Sequence, residues 1–132
     1  MLSRRAALVF GIVDLVTAAV IVIGVFVGLP SRWAPVDATA IVLTGADVAA
    51  GIGLLAGKSW APRVARAASA LALALGLALI TVLAVTASWL SGVYGPVGAG
   101  GAVVLVLVAA LALPYLVVMP VVQLVWLRGA GR

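Results

Sequence analysis

The chain has 132 residues, of which 67% are hydrophobic and only 8% charged, with a net charge of +5. That balance lies far outside the range of soluble domains and excludes a soluble catalytic or nucleic-acid-binding module. Cysteine and histidine are both absent, which excludes thiolate catalysis, disulfide relay, iron–sulfur ligation and histidine-held haem or zinc.

Four apolar stretches, residues 6–29, 38–56, 64–90 and 99–127, take up most of the sequence. A bilayer crossing needs about 20 mostly apolar residues at 1.5 Å rise each. Lipid offers backbone groups no hydrogen bonds, so each stretch must be helical. The connections are short. The expected fold is therefore all-α: one polytopic membrane domain of four transmembrane helices in an up-down-up-down bundle.

The first stretch follows Met1-Leu2-Ser3-Arg4-Arg5. Its apolar run is about twice the 7–15 residues of a signal peptide, so it reads as an uncleaved first span. It carries Gly11, Asp14 and Thr17, then Gly24 and Gly28 near its far end. In the first connection, Asp37 after Pro35 is placed to cap the second helix. That helix has small residues at every fourth position, Gly45, Ala49, Gly53 and Gly57, a ridge on which another backbone can pack closely. On a different face it carries Thr44, Asp47 and Gly51. Ser59 is placed to cap the third helix, with Pro62 in its first turn. The third span adds Ala70, Ala74 and Ala78, and the fourth is interrupted by Pro114 and Pro120. Each proline frees the carbonyl four residues earlier, at Ala110 and Leu116, and with Tyr115 and Gln123 these are candidates for a polar path.

Charge sets the expected orientation. Arg4, Arg5, Lys58, Arg63, Arg66, Arg128 and Arg132 cluster around the termini and the second connection. The first connection has only Arg32, offset by Asp37, and the third has no charge. By the positive-inside rule both termini are cytoplasmic. Trp33 and Trp89 then fall at the outer interface, and Trp60 and Trp126 at the inner one, as an aromatic belt requires. Arg63 and Arg66 share a helical face suited to anionic headgroups of the lipid bilayer. An arginine-rich, Ala-, Val-, Leu- and Gly-rich sequence points to a high-GC bacterium, and so to the bacterial cytoplasmic (inner) membrane.

Asp14 lies nine residues after Arg5, and Asp47 eleven before Lys58. Both are therefore roughly 13–17 Å deep, near the bilayer centre. Gly11, Asp14 and Thr17 on one span match Gly51, Asp47 and Thr44 on the next, antiparallel one, each set on a single face. An ionised carboxylate at that depth costs roughly 2.5–3.5 kcal/mol, and no basic residue is there to answer it. At least one of the two is expected to hold a proton. Intramembrane acids mark relays, cation sites or substrate contacts, and Asp14, Asp47, Thr17 and Thr44 form the candidate proton or cation site.

No set of nucleophile, base and metal ligands is present, so neither an enzyme nor a metal or cofactor is expected. Small size, packing ridges and acids that a partner's cation could answer favour a non-catalytic subunit or accessory component of a larger membrane complex. The alternative is a small proton- or cation-coupled transporter or channel using Asp14 and Asp47. The expected partners are the bilayer and either a second copy of the chain or a larger membrane protein, and no nucleic acid.

Overall fold

The computed structural model describes residues 3–28 and 30–129. Leu29, the expected end of the first span, and Arg132, the last of the expected inner-face cations, lie outside the described residues, as do Met1 and Leu2. The described residues form helices and no strands. Helix α1 (Arg4–Val22) runs into a π-helical turn (Ile23–Val27), followed by α2 (Ala34–Leu55) and α3 (Ala61–Val93). Then come α4 (Gly95–Leu113), a second π-helical turn (Pro114–Val118) and α5 (Met119–Gly129).

Three helical stretches are long and apolar enough to cross a membrane: Arg4–Val27, Ala34–Leu55 and Ala61–Gly129. The last has 69 residues, far more than one crossing needs. It is interrupted at Tyr94, after which Gly95 takes φ +58°, a left-handed conformation natural to glycine.

The helices begin earlier than the apolar windows because their first turns extend into polar sequence. Ser3 caps α1, its hydroxyl accepting from the Ala6 N–H at 3.2 Å. At α2 the structure corrects the expected cap. Trp33 holds that position with no side-chain bond, Pro35 sits in the first turn, and Asp37 lies inside the helix. There Asp37 favours the positive end of the helix dipole and pairs with Arg32 at 3.9 Å. Ser59 does not cap α3 either. The Trp60 carbonyl accepts from Arg63 and Val64, so the helix starts at Ala61, with Pro62 in its first turn.

The end of α2 closes in a Schellman turn. Lys58 N–H reaches the Gly53 carbonyl at 2.9 Å, Gly57 N–H reaches that of Leu54 at 3.2 Å, and Gly57 sits at φ +66°. The expected ridge on α2 is thereby divided among other tasks. Gly57 makes the turn, and Gly53 lies under Trp60 and Ala61, where a β-carbon would come within 2.8 Å of both. Gly45 faces open space, with nothing within 4 Å. Ala70, Ala74 and Ala78 are likewise exposed on α3, whereas Ala61, Ala65, Ala68 and Ser69 are buried.

The chain divides into two compact units, Met1–Leu71 with Gln123–Arg132, and Ala72–Val122. In the first, α1 and α2 form an antiparallel hairpin, Gly11 meeting Gly51 and Leu55 while Gly51 also meets Leu15. Its core comprises Phe10, Ala50, Leu54, Ala61, Ala65 and Leu127. Trp126 packs edge-on against Phe10 at 6.2 Å.

In the second unit α3 and α4 are also antiparallel, Gly76 meeting Leu116 and Leu90 meeting Gly101. Pro120 has no N–H for the Leu116 carbonyl, and the turn before it widens, Met119 N–H reaching back five residues to the Pro114 carbonyl. The freed Leu116 oxygen faces Gly76, whose missing β-carbon would stand 2.6 Å from it. Trp89 and Tyr94 pack edge-on at 6.0 Å.

Candidate functional site

The close approach of α1 and α2 decides where the acids lie. With glycine at 11 and 51, nothing separates one backbone from the other, and the stripes holding Asp14 and Asp47 are pressed together. Both acids are 4% exposed. Apolar lipid drives this choice of face: carboxyl groups turn inward and the Gly45 face is left outside.

Gln123 completes the arrangement from α5. Its amide Nε2 donates to Asp14 Oδ1 at 2.8 Å, and both side chains are buried. Asp14 Oδ2, Asp47 Oδ2 and Thr44 Oγ1 are buried without any hydrogen-bond partner. An unanswered buried polar atom costs about 1–3 kcal/mol, and more when charged. On the two acids, such open positions are ones that a proton or a cationic group would stabilise. Among the described residues no three His, Cys, Asp or Glu side chains come together in a way that could hold a metal ion.

The other expected site residues fall elsewhere. Thr17 is half-buried on α1. Tyr115 is 71% exposed, in the second unit, whereas Gln123 is buried in the first. Arg63 is exposed and Arg66 half-buried on α3. Trp33, Trp60, Trp89 and Trp126 are all exposed. Sequence reasoning missed the bond between Gln123 and Asp14. The available signal was a buried-helix amide, a group that seldom lacks a partner in lipid.

No protein family, curated protein or solved structure matches the chain. The site is therefore read from its own geometry.

Proposed function

We propose that this chain is a four-span bacterial inner-membrane protein in which Asp14 and Asp47 carry an exchangeable proton or cation, acting as a small proton- or cation-coupled transporter or channel. Its helices run up-down-up-down with both termini cytoplasmic, as the basic residues and tryptophans favour. The single observation that carries the reading is the inward burial of both acids with three oxygens left unpartnered. Acids kept for a neighbour's lysine or arginine would face outward; both of these are buried, and Asp14 accepts from Gln123. A purely structural pair would be hydrogen-bonded throughout, and this one is not.

Binding or release of a positive charge here changes the electrostatics of the α1–α2 contact, which links occupancy to helix position. One four-helix chain encloses little volume, so the transporting form is a homo-oligomer. The test is ion flux in proteoliposomes, with proton movement followed by an internal pH dye. Flux is expected in the wild type and loss of it in Asp14→Asn and Asp47→Asn, with insertion intact. Full flux in both variants would overturn the reading.

The open Gly45 face favours a second reading, a non-catalytic subunit of a larger membrane complex docked through α2. Stoichiometric recovery of a larger membrane protein from native nanodiscs would support it, and recovery of the chain alone would remove it.

A further inference from the structure

Gln123 is the only glutamine in the chain, and asparagine is absent, so it carries the sole side-chain amide. It is buried on α5 and donates from Nε2 to Asp14 Oδ1 at 2.8 Å. That bond uses half of each group. An amide offers donors on its nitrogen and an acceptor on its oxygen, whereas an ionised carboxyl offers acceptors alone. While Asp14 is ionised, Gln123 Oε1 and Asp14 Oδ2 are both acceptors and cannot bond each other, and Oδ2 is buried without a partner. Once protonated, a carboxyl has one donor and one acceptor, the complement of an amide edge.

We propose that the ion exchanged at Asp14 is a proton, carried on Oδ2 and held by Gln123 as an acid–amide pair, Nε2–H to Oδ1 and Oδ2–H to Oε1. The inference rests on the reading of Asp14 as an ion-exchanging group and adds which ion it takes. One O–H bond forms, the carboxyl loses its charge, and the proton comes from water and returns to it. The pair answers the open Oδ2 with a group already bonded to the same carboxyl, so a proton needs neither a cavity nor a new ligand. A metal cation meets the opposite case. The Nε2–H group turns its positive end toward that carboxyl, and Mg²⁺ or Ca²⁺ takes about six or more oxygens. Among the described residues no three acidic side chains gather to supply them. Asp47 is the one other titratable side chain buried in the first unit. The basic residues of α1, α3 and α5 (Arg4, Arg5, Arg63, Arg66 and Arg128) are exposed or half-buried.

The test uses the full chain in nanodiscs, made with glutamine ¹³C-labelled at Cδ, which marks the Gln123 amide carbonyl alone. Infrared difference spectra are taken between alkaline and acid buffer. The labelled C=O stretch is expected to move to lower frequency in acid, because Oε1 then accepts an O–H. The shift should be lost in Asp14→Asn and kept in Asp47→Asn. At fixed alkaline pH, adding Na⁺, K⁺ or Mg²⁺ should leave the band in place. A band that stays put on acidification, a shift that survives Asp14→Asn or vanishes in Asp47→Asn, or a response to a metal cation would overturn the assignment. Gln123→Met keeps the length, loses both amide groups, and should slow proton flux into proteoliposomes severalfold; unchanged flux would overturn it too. Absence of flux in the wild type would sink the underlying reading alone, since the spectra need no transport.

Discussion

Gly11 and Gly51 stand so close that a β-carbon on either would run into the other's carbonyl oxygen, at 3.0 Å from Gly11 and 2.9 Å from Gly51. The same β-carbons would meet Leu55 Cγ and Leu15 Cγ at 2.9 and 2.8 Å. Backbone-to-backbone contact of this kind is the main source of helix attraction where lipid cancels the hydrophobic effect. It is also what brings the two acid stripes together. Gly11→Ala and Gly51→Ala should each destabilise the hairpin by about 1–3 kcal/mol, as overpacking does, and valine should cost more. Gly45→Ala, where nothing lies within 4 Å, is the control and should be neutral. Reversible unfolding in mixed micelles reads all three, and equal effects at 45 and 51 would refute the packing argument.

The α2–α3 turn makes a second prediction. Gly57 at φ +66° occupies a conformation that costs an L-residue about 1–2 kcal/mol. Nothing lies within 4 Å of its missing β-carbon, so the penalty is one of backbone and not of space. Gly57→Ala should lower stability by about 1 kcal/mol, and Gly57→Asn by less, because asparagine tolerates the left-handed region better. If alanine and asparagine were equally costly, the penalty would lie in packing.

How much of this was legible beforehand depends on whether a feature is local. Periodicity placed Gly11, Asp14 and Thr17 on one face and Gly51, Asp47 and Thr44 on another, because three- and four-residue spacings are a property of a single helix. The sequence also holds a second small-residue stripe, Gly45 to Gly57, and periodicity alone does not say which stripe meets a neighbour. The carboxyl groups decide it, since they cannot face lipid. The Gln123 bond to Asp14 joins residues 109 positions apart and has no local signature. Helix α2 starts a turn before the cap expected at Asp37, because hydropathy marks where lipid begins, while capping geometry marks where the helix does. Pro120 announced an irregular turn at 114–118, and Pro30 follows the π-helical turn at Ile23–Val27, where the Phe26 carbonyl accepts from Arg32 at 3.2 Å.

The absence of cysteine makes the proposed orientation directly measurable. Single cysteines at Ser31 and Ser91 should react with a membrane-impermeant maleimide on intact cells. One at Ser59, in the α2–α3 connection, should react only after permeabilisation. All three positions are exposed, so failure to label would not reflect burial. Labelling of Ser59 and Ser91 in the same intact cells would contradict an up-down arrangement, and the mirror pattern would invert the protein.

The Asp14–Gln123 contact gives the sharpest energetic test, because the two side chains differ in what they leave behind. Gln123→Leu strips Asp14 Oδ1 of its 2.8 Å donor while Oδ2 is already unpartnered, so the carboxyl loses the one hydrogen bond its side chain makes. Asp14→Asn retains a carbonyl oxygen able to accept from Gln123 and removes the charge. Interhelical hydrogen bonds in membranes average about 0.6 kcal/mol and reach about 1.7; a buried bond to a carboxyl belongs at the upper end. The double-mutant cycle of Asp14→Ala with Gln123→Leu should therefore return a coupling of about 1–2 kcal/mol. Replacing Asp14→Ala by Asp14→Asn in the cycle should lower it, since the neutral acceptor makes the weaker bond. A coupling near zero in both cycles would mean that Gln123 packs beside Asp14 without holding it, and the site would then reduce to the facing stripes of α1 and α2.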